Sequence, residues 1–213
     1  MKIALIGATG FVGKAVLNEA LQRGYEVTAI ARNPKTDIEN PKLTLKTADV
    51  YNVDELTEKL KGHDAVVNSF NAGWGNPNLY NDFIKGSEAI QQATKQAGVS
   101  RLLVVGGAGS LFIAPGVQLV DSPQFPAEWK TGATAARDYL NIIKKEEDLD
   151  WTFLSPAIHL HPGTRTGVYR TGTDEPVFND KHEHEISVED LAVAILDELE
   201  NNQFVKRRFT VGY

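Results

Sequence analysis

The sequence of 213 residues contains no cysteine. This absence excludes thiolate catalysis, disulfide bonds, cysteine-ligated zinc and iron–sulfur clusters. The chain also lacks an apolar run long enough to cross a membrane, and we find no signal-peptide pattern, so we expect a cytoplasmic protein that does not enter a membrane. Its 42% hydrophobic and 23% charged content is ordinary for a globular protein.

Positive charge is also scarce. The 22 lysines and arginines are outnumbered by 28 aspartates and glutamates, which gives a net charge of −6. That balance argues against nucleic acid or an anionic membrane as the main partner. The one tight basic cluster, at residues 206–208, precedes a short strand-like end and is interpreted as a solvated flank. We expect a small-molecule partner, no metal site, and a monomer or homodimer.

Residues 1–32 carry the most informative pattern in the chain. A short apolar run at residues 3–6 leads into a glycine-rich turn, a helical pattern follows through Gln22, and a second strand-like run covers residues 25–31. This order predicts a strand, a turn, a helix and a strand, which together form one βαβ unit. A glycine turn inside such a unit is a much stronger signal of dinucleotide binding than the glycines alone.

The three glycines of the turn have separate predicted tasks. Gly7 permits a sharp exit from the strand, Gly10 leaves room for a pyrophosphate, and Gly13 lets the helix pack closely on the strand. The free N–H groups at the start of the helix then bind the phosphates. A purely structural tight turn is the alternative. The predicted cofactor contacts in this turn are Gly7, Thr9, Gly10, Phe11, Val12 and Gly13.

Arg32 ends the second strand, where an NAD-preferring unit usually has an acidic residue for the ribose 2′-hydroxyl. The nearest acid, Asp37, lies beyond Pro34. Arg32 and the nearby Lys35 offer a guanidinium and an ammonium group to a 2′-phosphate instead. We therefore predict that NADPH is the preferred cofactor and that NADH is a weaker one. The alternative is that Arg32 is an ordinary surface cation.

The rest of the chain continues the alternation of strand and helix. It predicts a single Rossmann-fold α/β domain over residues 1–213, a doubly wound parallel sheet with helices on both faces. A small carboxyl-terminal, substrate-side portion is expected from segments at about 111–129 and 157–186. Further strands are predicted at 43–48, 65–67, 102–105, 151–154, 168–170 and 209–211, and further helices at 52–61, 79–96, 130–147 and 187–200.

Polar and small residues follow several of these strands. In an open parallel sheet, ligands bind at the carboxyl ends of the strands, so residues at these ends are expected to converge on one edge. The additional predicted cofactor contacts at this edge are Asp49, Val50, Ser69, Phe70, Asn71, Gly106 and Pro156.

These motifs resemble those of the atypical short-chain dehydrogenase/reductase superfamily. The resemblance is carried by the glycine turn, by Asp49-Val50, by Asn71-Ala72-Gly73 and by Ser155-Pro156. More narrowly, the chain looks like the NAD(P)H-binding branch that contains NmrA-like proteins, biliverdin reductase B-like proteins and bacterial NADH-flavin reductase-like proteins. The likeness covers nearly the whole chain, and it implies a dinucleotide site strongly and a substrate only loosely.

One departure from the superfamily affects the expected chemistry. Its members commonly use a Tyr-x-x-x-Lys pair as a proton donor, and no tyrosine here has a lysine four residues later; Tyr139, for example, is followed by Ile143. Ser110 does fall where the superfamily has its catalytic serine. Loss of general acid catalysis would cost an alcohol–ketone exchange about 10²–10⁴-fold in rate, whereas a flavin, quinone or bilin spreads the incoming charge and takes its proton from water.

The resemblance and these loops together predict an NADPH-dependent reductase of a planar conjugated acceptor, with FMN or FAD as a substrate and not as a bound prosthetic group. Trp74 and Phe112 are the predicted acceptor contacts, although each could equally be ordinary packing, as could Phe125 and Trp129. The resemblance makes Ser110 and His159 the candidate catalytic residues; a loop histidine bonded to backbone is the alternative for His159.

A second function, from a different class, remains open. NmrA-like proteins are thought to sense the redox state of bound NADP(H) without catalysis, and the missing Tyr-x-x-x-Lys pair fits that function as well. A sugar-nucleotide epimerase or a steroid dehydrogenase is disfavoured by the same absence.

Overall fold

Five α-helices and twelve strands make up the structure, a computed structural model that describes residues 1–213. The first half of the chain contains β1 (Lys2–Ile6), α1 (Phe11–Gln22), β2 (Glu26–Ala31), β3 (Leu43–Thr47), α2 (Val53–Leu60), β4 (Ala65–Asn68), α3 (Leu79–Gln96) and β5 (Arg101–Val105). The second half contains β6 (Phe112–Ala114), β7 (Val117–Gln118), α4 (Ala127–Ile143), β8 (Asp150–Ser155), β9 (His159–His161), β10 (Arg170–Gly172), β11 (Glu185–Ser187), α5 (Val188–Asn201) and β12 (Arg207–Gly212).

Eight of these strands form one central sheet in the order β10-β12-β8-β5-β4-β1-β2-β3. All neighbouring pairs are parallel except β10 and β12, which pair antiparallel from Arg170 opposite Gly212. The strand order reverses direction between β1 and β4. In such a sheet the point of reversal opens a crevice at the carboxyl ends of the strands, which is where a ligand binds.

Helices cover both faces of the sheet, as predicted. Helices α1 and α5 pack together on one face, over a core that includes Leu5 and Phe209. Helices α2, α3 and α4 cover the other face, over a second core that includes Ile6 and Phe153. Because both faces are covered, the central strands are continuously apolar, and β4 is buried at every position. The predicted doubly wound α/β fold is confirmed.

Two small two-stranded sheets outside the central sheet were not predicted. The hairpin β6–β7 lies in the substrate-side segment expected at about 111–129, and β9 and β11 form a separate two-stranded parallel sheet. The strand expected at 168–170 is displaced to Arg170–Gly172. Strands β9 and β11 are distant in sequence, and β6 and β7 are only three and two residues long, so local patterning could not locate them.

Helix α4 begins and ends earlier than the predicted range of 130–147. Pro126 precedes its first turn, a place where proline is compatible with helix geometry. At the other end the bonding tightens, because the N–H groups of Lys145 and Glu146 donate to carbonyls only three residues back. No helix in the structure has the length and apolar character needed to span a membrane.

One buried histidine predicts how the stability of this fold depends on pH. His184 is 1% exposed and its Nε2 lies 3.1 Å from the carbonyl oxygen of Val211. Burial lowers the pKa of His184 from 6.5 to about 4, and the charge of nearby His159 acts in the same direction. The folded protein therefore disfavours the protonated ring more than the unfolded chain does.

This contribution to stability is fully present above the unfolded pKa and is lost as the pH falls from about 6.5 to about 4. The expected loss is about 3 kcal/mol of unfolding free energy. Urea titrations across this range should show a flatter pH dependence for His184→Gln than for the wild type. His182→Gln, which alters an exposed histidine, should keep the wild-type dependence. Equal slopes in all three proteins would contradict the prediction.

Candidate functional site

The glycine turn between β1 and α1 has the geometry that the sequence predicts. Gly7 adopts a φ of +79°, and a Cβ on it would lie 2.5 Å from the carbonyl oxygen of Ser69. A Cβ on Gly13 would lie 2.1 Å from the carbonyl oxygen of Gly7. Neither position can hold a larger residue without moving backbone, so the conformational tasks assigned to Gly7 and Gly13 are confirmed.

Helix α1 leaves its first N–H groups without a protein acceptor. Gly10 provides no side-chain cap, and the amides of Phe11, Val12 and Gly13 form no hydrogen bond. By contrast, Asn52 caps α2 and Ser187 caps α5 with side-chain oxygens. Uncapped amides at the positive end of a helix are a favourable binding site for phosphate oxygens. Phe11 beside them is 51% exposed.

A cleft of about 290 Å³ lies next to this helix start. Thr9 of the turn, Lys14 of α1 and the segment at 34–38 line it, including Lys35. Arg32 follows β2 directly, is exposed and makes no ion pair. Lys14 is an addition to the predicted set. Its place directly after the last glycine of the turn was the signal in the sequence that could have identified it.

The remaining predicted cofactor contacts lie at the carboxyl ends of neighbouring strands. Ser69 follows β4, and its hydroxyl donates to the carbonyl of Ile6 at 2.8 Å. The ring of Phe70 packs between Tyr51 and Phe83, and a Cβ on Gly86 would lie 2.5 Å from it. The structure places the following residues at the ends of β3, β4, β5 and β8: Asp49, Val50, Ser69, Phe70, Asn71, Gly106 and Pro156.

Ser110 lies after β5 as predicted, but its side chain faces the interior. It is 1% exposed, and its Oγ lies 3.2 Å from Nη1 of Arg208 and 3.3 Å from Oγ of Ser155. The hydroxyl is therefore occupied by protein partners and does not face the open edge of the sheet in this structure.

Arg208 corrects the interpretation of residues 206–208 as a solvated flank. Lys206 and Arg207 are exposed, whereas Arg208 is 5% exposed and forms an ion pair with Asp174. Successive residues of a strand point to opposite faces, and both faces of β12 are covered. The side chain of Arg208 consequently lies between the sheet and the segment that carries Ser110, and it contacts the Ser110 hydroxyl.

The predicted acceptor aromatics are partly accessible. Trp74 is 61% exposed and its ring lies against α4, where a Cβ on Gly132 would be 2.6 Å from the indole. Trp129, three residues before Gly132 on the same helix, is 55% exposed. Phe112 and Phe125 are half-buried. These rings offer apolar surface beside the carboxyl ends of β4 and β5.

His159 lies in β9, three residues after Pro156, and it is exposed. Its backbone N–H donates to the carbonyl of His184 at 3.0 Å, and its ring has no hydrogen-bond partner. The imidazole is thus free to contact a ligand. In the alternative interpretation the ring of His159 would be hydrogen-bonded to backbone, and the structure contains no such bond.

Helix α4 contains one tyrosine, which has no lysine four residues later. Tyr139, the tyrosine of α4, is fully buried, and its hydroxyl donates to Gln91 at 3.1 Å. Burial raises the pKa of Tyr139, which is opposite to what proton exchange near neutrality requires. The pKa of each of the other five tyrosines is raised as well, so this edge of the sheet offers no activated tyrosine to a substrate.

Comparison with known proteins agrees with this geometry. The sequence matches a family described as NAD(P)H-binding over residues 7–202. It is 42% identical over 215 aligned residues to YwnB, an uncharacterised protein of Bacillus subtilis (strain 168), an alignment that covers 99% of this chain and 98% of YwnB.

Two solved structures are similar over the full length of the chain. A candidate epimerase from Bacteroides thetaiotaomicron is 50% identical with a TM-score of 0.93, covering 100% of this chain and 96% of the other. A candidate NADH-flavin reductase from Streptococcus pneumoniae TIGR4 is 36% identical with a TM-score of 0.87, covering 100% and 99%.

Proposed function

The chain belongs to the NAD(P)H-binding family, in the atypical branch of the short-chain dehydrogenase/reductase superfamily, and we propose that it is an NADPH-dependent reductase of a planar conjugated acceptor. Flavin, as FMN or FAD that binds and dissociates, is the first candidate; a quinone or a bilin is of the same chemical class. One observation carries the proposal. The unpaired amides at the start of α1 and the exposed aromatic rings lie at the same edge of the central sheet, and this edge has no tyrosine activated for proton exchange.

The residues of the glycine turn fit a nucleotide diphosphate. The amides of Phe11, Val12 and Gly13 are unpaired, and Gly10 adds no side chain in front of them. When bound, a reduced nicotinamide supplies a hydride; this chain's residues hold the cofactor, orient it and cover the reaction. Arg32 favours the phosphorylated cofactor, and the residues at the ends of β4, β5 and β8 position its nicotinamide half.

The acceptor class follows from what the site lacks. Oxidising a sugar or steroid hydroxyl needs a base at the reacting oxygen, and reducing the corresponding carbonyl needs an acid there. Tyr139 cannot serve as either because it is buried. A flavin needs only a flat surface that aligns its ring with the nicotinamide. Trp74 supplies such a surface, and His159 is a candidate proton donor. The epimerase name of the Bacteroides relative fits this site less well than the flavin reductase name of the Streptococcus relative.

The decisive experiment follows the near-ultraviolet absorbance of NADPH in the presence of FMN, riboflavin or a quinone. Sustained loss of absorbance, dependent on the protein and on the acceptor, is the expected result. Tight binding of NADPH without turnover of any acceptor would favour the redox-sensor alternative. That alternative is supported by the same missing acid–base pair, but it gives no role to the exposed tryptophans.

Arg32→Ala is expected to weaken NADPH binding by about 10-fold to 100-fold and to leave NADH binding nearly unchanged. The reason is that a charge-assisted contact with the 2′-phosphate contributes about 1.5–3 kcal/mol, and NADH lacks that phosphate. Titration of nucleotide fluorescence with each cofactor measures both affinities.

Arg207→Ala is the matched control for this experiment, because Arg207 is also an exposed arginine but lies at the start of β12. It should change neither affinity. If Arg32→Ala reduced the affinities for NADPH and NADH equally, Arg32 would have no role in selecting the cofactor.

A further inference from the structure

Arg208 is an unusual cation for its position. Its side chain is 2% exposed, yet its ion-pair partner Asp174 is 60% exposed, so one carboxylate at the surface balances a buried charge. Nε of Arg208 lies 2.9 Å from Oδ1 of Asp174. On the other side of the guanidinium, Nη1 donates to the hydroxyls of Ser110 and Ser155 at 3.2 and 3.5 Å. We call these four residues the Arg208 cluster.

The Arg208 cluster joins four separate parts of the chain. Arg208 belongs to β12, next to the edge strand β10, and Asp174 belongs to the loop after β10. Ser110 belongs to the segment after β5, and Ser155 ends β8. The loop is also bonded to the segment through backbone, since the N–H of Phe112 donates to the carbonyl of Asp174 at 2.8 Å. The position of Phe112 therefore depends on where the 173–175 loop is held.

The fork of the guanidinium is essential to this arrangement. Arginine presents five donors in a fixed plane and can bond a carboxylate on one side and two hydroxyls on the other. A lysine would supply a single point charge and could not reach both sets. Removing the carboxylate would leave a buried charge without its counterion, which the protein relieves by moving the loop or the arginine.

We propose that the Arg208 cluster positions Phe112 and the hairpin β6–β7 beside the acceptor, and that Ser110 acts in this cluster as a positioning residue. The inference rests on the proposed reductase function, since it assigns the cluster to the acceptor half of the same site. It also gives Ser110 a role that agrees with its burial, in place of direct contact with the acceptor. The cofactor half of the site, at the glycine turn, is independent of the cluster.

The test uses Asp174→Asn in the full-length protein, because this substitution removes the counterion of Arg208 and keeps the size of an exposed side chain. The KM for FMN should rise about 10-fold, while kcat and the affinity for NADPH stay at the wild-type values. Hydrogen exchange of the Phe112 amide should become faster. Asp174→Glu should restore part of the lost affinity for FMN, and Glu175→Gln, a neighbouring exposed acid, should behave as the wild type.

Ser110→Ala distinguishes positioning from direct catalysis. A positioning role predicts a smaller rise in the KM for FMN than Asp174→Asn causes, with kcat retained. A loss of about 100-fold in kcat at unchanged KM would mean that the hydroxyl acts on the reacting atoms, and would overturn the inference.

The outcome separates this inference from the reductase proposal. If the wild type turns over no acceptor, the reductase proposal fails, and exchange at the Phe112 amide still reports whether the cluster holds the segment. If Asp174→Asn changes neither the KM for FMN nor the exchange of that amide, the Arg208 cluster does not position the segment and the inference is wrong.

Discussion

Gly13→Ala is expected to reduce the affinity for NADPH by at least about 100-fold. The new Cβ would lie 2.1 Å from the carbonyl oxygen of Gly7 and 2.9 Å from Cα of Ala8, and both contacts are with backbone. Helix α1 must then move away from the turn, and its free amides no longer meet the diphosphate together. Losing two charge-assisted contacts of about 1.5 kcal/mol each gives the expected factor.

The same substitution should lower stability by about 1–3 kcal/mol, because it overpacks a close contact between α1 and the turn that follows β1. Gly75→Ala is the matched control, since a Cβ there meets open space and the residue lies in another loop. Fluorescence titration with NADPH at a temperature where all variants are folded separates affinity from stability. An unchanged affinity in folded Gly13→Ala would contradict the assignment of this turn to the cofactor.

Glu198→Ala is expected to lower the free energy of unfolding by about 3–5 kcal/mol. Glu198 is 4% exposed and accepts from Nη2 of Arg101 at 2.7 Å and from the N–H of Phe204 at 3.0 Å. Arg101 is itself 8% exposed, and burial lowers the pKa of its guanidinium. Removing the carboxylate leaves this buried charge without its counterion.

Urea unfolding followed by tryptophan fluorescence measures the effect. Glu58→Ala removes an exposed ion pair with Lys61 and should leave the unfolding midpoint nearly unchanged. Replacing both members of the buried pair, as Arg101→Met with Glu198→Leu, should recover much of the loss, because an apolar pair needs no counterion. An unaltered midpoint for Glu198→Ala would show that the ion pair contributes nothing.

The sequence predicted the features of this fold that arise from neighbouring residues. The glycine turn and the order of strands and helices are local patterns, and the structure contains both of them. The spacing of Gly7 and Gly13 was informative because only glycine satisfies both the left-handed turn and the close contact with α1.

The features that the sequence did not reveal depend on contacts between distant residues. Ser110 lies 98 positions from Arg208 along the chain, and nothing near either residue indicates that they meet. The burial of Arg208 follows from the coverage of β12 on both faces, which only the assembled sheet determines. The sequence shows that Tyr139 lacks a lysine partner, but its complete burial depends on the packing of α3 against α4.

Calorimetric titration of the wild-type protein with NADPH and with NADH tests the central claim most directly. Binding of NADPH at one site per chain, about 10-fold or more tighter than binding of NADH, is the predicted result. If neither nucleotide released or absorbed heat at any concentration that a functional cofactor site requires, the glycine turn would not be a dinucleotide site and the proposed reductase chemistry would be contradicted.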